Sequence, residues 1–273
     1  MEFALLASGS QGNCFVLRDG ETVLMIDCGS TKKHLLASFD KLHLKFSEID
    51  ALLITHDHID HVSQLRHFLN QDIYSPIELP DAEVFAVRPN RPFVIGSVKI
   101  TPVALSHDAY NTTGYILENG FEKFVYITDT GYVNRRYLPL MKGADYIVME
   151  SNHDTAMLMR TSRPQYVKSR IISDQGHLSN EDCAVILNDI ITEKTKMVIL
   201  AHISRQGNTR EKALEVNRSY ILKNHEGMLH KDLVLCAAGQ HEMIRKGFDD
   251  EERDLGTVSC CIGMEYMADA KGI

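Results

Sequence analysis

Short, largely apolar stretches recur along the first half of the chain, and turn residues separate them. The pattern predicts strands at Glu2–Leu6, Cys14–Arg18, Thr22–Ile26, Ala51–Thr55, Val98–Val103, Gly114–Leu117 and Phe124–Thr128. Two helical stretches interrupt them, Thr31–Leu42 and a segment running from about His61 to Leu69. From about residue 134 the period lengthens. Helices are expected near Asn134–Met141, Pro164–Ile172, Asn180–Thr192 and Thr209–Lys223, alternating with strands Tyr146–Met149, Met197–Ala201 and Leu233–Cys236. In the third of these helices Ser179 is a ready N-cap, and Glu181 and Asp182 suit the positive N-terminal end. Ala184, Val185, Leu187, Ile190 and Ile191 should form the face that packs on a sheet.

No repeat, low-complexity tract or Pro/Gly linker divides the chain, so residues 1–245 read as one domain. Residues 246–273 read as an acidic linker, Asp249 to Asp254, with a loosely docked tail; an arm that pairs two chains into a homodimer is the alternative.

Composition narrows the function classes. The chain has 273 residues, 44% of them hydrophobic and 24% charged, which excludes disorder and fibre. Its net charge of -8 excludes a broad basic coat, so any contact with nucleic acid must be local. The arginines at 88, 91, 135, 136, 160, 163, 170 and 205 are the candidates for it. No apolar run is long enough to span a bilayer and Met1–Leu6 carries no basic leader, so no membrane contact and a cytoplasmic location are expected. The six cysteines show neither metal-finger spacing nor the density of a disulfide scaffold, and most are expected to be reduced and buried.

The chemistry concentrates in Thr55-His56-Asp57-His58-Ile59-Asp60-His61, directly after an apolar strand. With 13 His in the chain, an H-x-H-x-D-H would arise by chance only about 0.002 times. Imidazole nitrogens and a carboxylate oxygen are donors suited to zinc, and a turn at a strand end can aim them at two sites. Three imidazoles crowded into one turn lower each other's basicity and gain little without a metal.

This motif resembles the hallmark of the metallo-β-lactamase superfamily, and the resemblance extends along most of the chain. It implies an αββα sandwich, two mixed sheets flanked by helices, with two divalent ions, zinc or manganese, at one edge. Ile26-Asp27-Cys28-Gly29 is similar to the family's strand-end Asp, so Asp27 would support the metal loop. Ser106-His107-Asp108-Ala109 would add His107 to His56 and His58 at the first ion. Asp129 of Thr128-Asp129-Thr130-Gly131 would bridge the ions, and His202 would join Asp60 and His61 at the second.

His177 in Gly176-His177-Leu178-Ser179-Asn180 resembles the histidine that assists the leaving group in RNase Z and related phosphodiesterases, and Glu150 would orient it. Together with Ala7-Ser8-Gly9-Ser10-Gln11-Gly12-Asn13-Cys14 and Glu150-Ser151-Asn152-His153-Asp154, these pieces resemble the YycJ (WalJ) group of bacterial hydrolases. That resemblance implies a 5′-to-3′ exonuclease acting on DNA. His177, Asp60 and Glu150 would be catalytic, with Asn152, Ser204 and Asn208 as substrate contacts. The group's paired asparagines are replaced here by Arg205-Gln206-Gly207-Asn208. The glycine-rich Ser8–Asn13 stretch reads first as a hairpin turn and second as a phosphate cradle.

Several branches fit less well. Flavodiiron proteins carry Glu where His58 stands, RNase J needs an inserted domain, and RNase Z needs a long arm. A small-molecule or cyclic-nucleotide phosphodiesterase is the leading alternative, followed by a lactone, thioester or β-lactam hydrolase, and from a different class a metal-binding regulatory scaffold.

Overall fold

The computed structural model describes residues 1–248 and 261–264. Two sheets face each other. The first takes strands β1 (Glu2–Ala7), β2 (Cys14–Asp19), β3 (Thr22–Ile26), β4 (Ala51–Leu53), β5 (Asp72–Ser75), β6 (Val84–Ala86) and β14 (Ile244–Lys246), in the order β14-β1-β2-β3-β4-β5-β6. The second takes β7 (Phe93–Ile95), β8 (Val98–Ala104), β9 (Thr113–Glu118), β10 (Lys123–Ile127), β11 (Tyr146–Glu150), β12 (Met197–Ala201), β13 (Val234–Ala237) and β15 (Cys261–Gly263), in the order β15-β13-β12-β11-β10-β9-β8-β7. Both sheets are mixed: β3, β4, β5 and β6 run parallel, as do β10, β11, β12 and β13.

The apolar runs seen in sequence have their cause in this layering, which buries both faces of most strands. Phe3, Phe15, Tyr115, Phe124, Tyr126 and Tyr146 fill the space between the sheets. Helix α1 (Lys32–Lys41) closes the outer face of the first sheet through Leu35 and Phe39. Helices α3 (Leu138–Met141), α6 (Asn180–Ile190) and α7 (Arg210–Asn224) cover the second sheet through Met141, Leu187, Ile190, Ala213 and Ile221. Helices on both outer faces make an αββα sandwich, the architecture expected.

Some local expectations change. Ser179 does cap α6, its side chain accepting from the Asp182 amide, and Ala184, Leu187, Ile190 and Ile191 are buried. Val185 is not: it is 40% exposed, and Cys183 takes its place against the sheet. The segment expected as one helix from His61 to Leu69 is instead a single turn, α2 (Ile59–Val62), and a 3-10 turn, Leu65–His67. Its backbone is diverted into bonds with another loop, where Cys28 N donates to His61 O and Gln64 N donates to Cys28 O. A short helix α4 (Thr155–Arg160), capped by Asp154, precedes α5 (Gln165–Ile172) and is absent from the elements the pattern predicts.

Part of the C-terminal stretch is described. Lys246, assigned from sequence to the linker, ends β14 and pairs with Phe3. Cys261–Gly263 pairs antiparallel with β13, and Met264 is buried. Cys236 and Cys261 stand opposite one another there and form a disulfide, while Cys14, Cys28 and Cys183 are free and buried. The charge run 249–254 lies outside the described residues. No helix among the described residues is long and apolar enough to cross a membrane.

Candidate functional site

Three strand ends converge on one edge of the sandwich, and each turns sharply there. Asp27 follows β3, Asp129 follows β10 by one residue and His202 follows β12, and their φ angles are 56°, 55° and 53°. Left-handed backbone is unfavourable for residues with a side chain, and it recurs where a fold must aim a functional group. Gly29 serves the same end differently, because a Cβ there would lie 1.7 Å from the Asp60 carbonyl oxygen. Only glycine lets the β3 loop approach the histidine-rich turn so closely.

Asp27 is wholly buried and fully engaged. Its Oδ1 accepts from Thr55 N at 2.8 Å, and its Oδ2 accepts from Thr55 Oγ1 at 2.8 Å and His61 Nδ1 at 2.7 Å. A carboxylate on Nδ1 fixes the tautomer and turns Nε2 toward the site. His61 Nε2 then lies 3.2 Å from Asp129 Oδ2 and 3.7 Å from Asp60 Oδ2. Burial works against a charge on His61, but Asp27 and Asp129 outweigh it and hold its pKa well above the usual range. Burial and the neighbouring His61 push His56 strongly downward.

A partner on Nδ1 recurs at three other histidines. His56 Nδ1 meets Thr55 Oγ1 at 3.0 Å, His107 Nδ1 meets Gly176 O at 3.1 Å, and His202 Nδ1 meets Glu150 Oε1 at 2.9 Å. Among the described residues, donor atoms gather in three overlapping groups: His56, His58 and His107; His56, His61 and Asp129; and Asp129, Glu150, His177 and His202. Within each group they lie within 4.8 Å of one another. His56 Nε2, His202 Nε2 and Asp129 Oδ2 are buried without a hydrogen-bond partner. Buried polar atoms left unpaired are costly, and convergent nitrogen and carboxylate donors are what a divalent ion takes. The residues fit such an ion.

Glu150, at the end of β11, connects the turns. Its Oε1 also lies 2.7 Å from His177 Nδ1, and its Oε2 accepts from Thr130 N at 2.8 Å, beside Asp129. Burial alone would raise its pKa, but His177 and His202 hold it down to about 2, so it stands as a carboxylate acceptor.

Beside His177 and His202 opens a cleft of about 550 Å³, lined also by Ser10, Gln11, Asn152, Arg163, Arg170, Ser204 and Arg205. Of the eight arginines singled out from sequence, these three reach it. Arg135 instead pairs with Asp189, and Arg136 lies against Tyr137. Asn152 lines the cleft while its Nδ2 donates to His202 O at 2.8 Å, and Ser204 lines it while accepting from Gly207 N.

Asn208, expected to touch substrate, does not reach the cleft. It is buried, its Nδ2 donates to Ser151 O and Asn180 Oδ1, and its Oδ1 accepts from Asn180 and from Thr209 N. Its polar groups are used up in holding the β11 and β12 loops together.

The Ser8–Asn13 hairpin contributes more than a turn. Ser8 Oγ accepts from His202 N at 2.7 Å, and Asn13 Nδ2 lies 3.3 Å from Asp60 Oδ2 and 2.9 Å from His61 Nε2. Nothing in the local pattern marks Asn13, because its partners lie 47 and 48 positions away.

The loops that carry the His, Asp and Glu donors fall inside a stretch, residues 22–203, that matches the beta-lactamase superfamily domain. The chain belongs to that superfamily. Within it the chain is 34% identical to the exodeoxyribonuclease YycJ of Bacillus anthracis over 227 residues, 78% of this chain and 86% of the relative. It is 32% identical to the exodeoxyribonuclease WalJ of Streptococcus pneumoniae over 230 residues, covering 78% and 85%. Solved structures share the superfamily fold. The metallo-beta-lactamase fold protein YhfI from Bacillus subtilis has a TM-score of 0.66 at 16% identity, covering 90% of this chain and all of that one. The short form of human tRNase Z has a TM-score of 0.59 at 19% identity, covering 75% and 93%. This YycJ/WalJ-like superfamily member is a metal-dependent hydrolase that binds divalent metal, and its His/Asp clusters are the candidate ligands.

Proposed function

We propose that the chain is a 5′-to-3′ exonuclease acting on DNA, with two divalent ions, zinc or manganese. The observation that carries this reading is the overlap of the donor groups at His56 and Asp129, beside a cleft bearing three arginines. The names of the YycJ and WalJ relatives support a DNA substrate.

In this reading His56, His58 and His107 hold the first ion, Asp60, His61 and His202 hold the second, and Asp129 belongs to both. When bound, such ions polarise water and phosphoryl oxygens. The chain's own groups do the rest. Asp27 holds the proton on Nδ1 of His61, so that Nε2 is the nitrogen left to face a metal. Glu150, acceptor only, keeps the Nδ1 proton of His177 in place, which leaves Nε2 to carry the proton given to the departing oxygen. Arg163, Arg170 and Arg205, with Asn152 and Ser204, hold the phosphate backbone in the cleft.

The test is a 5′-phosphorylated oligonucleotide labelled at its 3′ end, incubated with Mn²⁺ and with chelator. Stepwise loss from the 5′ end that chelator abolishes supports the reading. Hydrolysis of cyclic or dinucleotide diesters with none of longer strands supports a small-molecule phosphodiesterase instead, the reading that the net charge of -8 favours.

A further inference from the structure

Asp108 follows His107 in the loop after β8, and its two carboxylate oxygens face different ways. Oδ2 is held by Arg170 Nη1 at 2.6 Å, from the last turn of α5. Oδ1 accepts no hydrogen bond among the described residues; it lies 3.2 Å from His107 Nε2 and 3.8 Å from His58 Nε2. His107 Nδ1 is taken by the Gly176 carbonyl, so Nε2 is the nitrogen that faces the donor cluster. Donors that share a tetrahedral ion at about 2.0–2.2 Å stand roughly 3.3 Å apart. The 3.2 Å between Asp108 Oδ1 and His107 Nε2 is therefore the separation of two ligands of one ion. A solvated Arg–Asp pair has no need of such aim, because its second oxygen would turn to water.

We infer that Asp108 supplies Oδ1 as a further oxygen donor to the ion held by His56, His58 and His107, with Arg170 fixing the rotation of the carboxylate. Asp108 is then a metal-site residue and Arg170 a positioning residue. The side chain of Asp108 is 25% exposed, so the donor sits at the solvent-facing edge of the site. Among the described residues His58 makes no side-chain hydrogen bond, and its Nε2 lies 3.8 Å from Asp108 Oδ1. The inference rests on the two-ion reading above.

The experiment is a metal titration of the apo-protein against a chromophoric chelator, together with the visible spectrum of the Co²⁺-loaded protein. It compares wild type, Asp108→Asn, Asp108→Ala and Arg170→Ala. Arg135→Ala, which removes an arginine paired with Asp189 elsewhere, is the control. Asp108→Ala should weaken one of two ions by about 10- to 100-fold and change the Co²⁺ d–d bands; Asp108→Asn and Arg170→Ala should weaken the same ion less. Thermal melts of the apo-proteins should be alike, which separates ligand loss from misfolding. Unchanged affinity and spectrum in Asp108→Ala would overturn the inference, as would weaker binding with an unchanged spectrum. A wild-type protein that holds fewer than two ions defeats the two-ion reading itself, whereas two ions in both wild type and Asp108→Ala at equal affinity defeats this inference alone.

Discussion

His177 Nδ1 stands 2.7 Å from Glu150 Oε1, and the same oxygen lies 2.9 Å from His202 Nδ1. One buried carboxylate thus sets the orientation of a cleft-facing histidine and of a histidine in the donor cluster. The two histidines are nevertheless expected to do different work. His177→Ala should keep its metal and its thermal stability while kcat falls by about 10² to 10⁴-fold, the usual contribution of a positioned proton donor. The loss should shrink for p-nitrophenyl esters, whose leaving group needs little protonation. Parallel kinetics on bis-p-nitrophenyl phosphate and an oligonucleotide check this, and an equal loss on both would assign His177 a structural role.

Metal content distinguishes the ligands from their supports. The purified protein should hold close to two ions, and Asp129→Ala should lose the most, because Asp129 appears in two of the three donor groups. Glu150→Gln should weaken binding by about 10- to 100-fold, as loss of an orienting partner does. Elemental analysis after reconstitution measures both.

Gly29→Ala should reach the site through packing. The new methyl would meet the Asp60 carbonyl oxygen at 1.7 Å, and the loops must part to admit it. Overpacking of this kind costs about 1–3 kcal/mol, so the melting temperature should drop and metal content should fall with it. A stable variant with full metal would show that the two loops have slack.

The cleft arginines should reveal themselves in salt dependence. Arg205→Ala should weaken binding to single-stranded oligonucleotides and reduce the slope of log K against log salt by about 0.7, the share of one neutralised phosphate. Fluorescence anisotropy over a salt series gives the slope, and an unchanged slope removes Arg205 from the phosphate path.

Far from the site, Glu122 links strand edges through the Met1 amine and through Tyr146, whose hydroxyl donates at 2.8 Å. Burial alone would raise its pKa, but these partners lower it from 4.5 to about 2. A carboxylate depressed in the folded state stabilises the fold above its unfolded pKa and stops doing so as pH falls through the folded one. Glu122→Gln should therefore melt below wild type at neutral pH, and the gap should close as pH falls from 4.5 toward 2.

What the chain determined by itself is what local pattern can encode. Short apolar runs bounded by turn residues specified most of the strands of both sheets, and the Ser179 cap with its following apolar period specified α6, because runs, caps and periods involve residues within a few positions. His56, His58, Asp60 and His61 were legible for the same reason, since one turn carries them all. The tertiary structure alone decided the rest. Asn13 meets His61 across 48 positions, Arg170 meets Asp108 across 62, and Glu150, expected beside His177, also joins His202 across 52. It also turned Asn208 inward, shortened the helix after His61 and set Cys236 opposite Cys261. These outcomes depend on how two sheets stack and which strand ends meet at one edge. No residue's neighbours in sequence record that, because the contacts exist only after the apolar faces have packed.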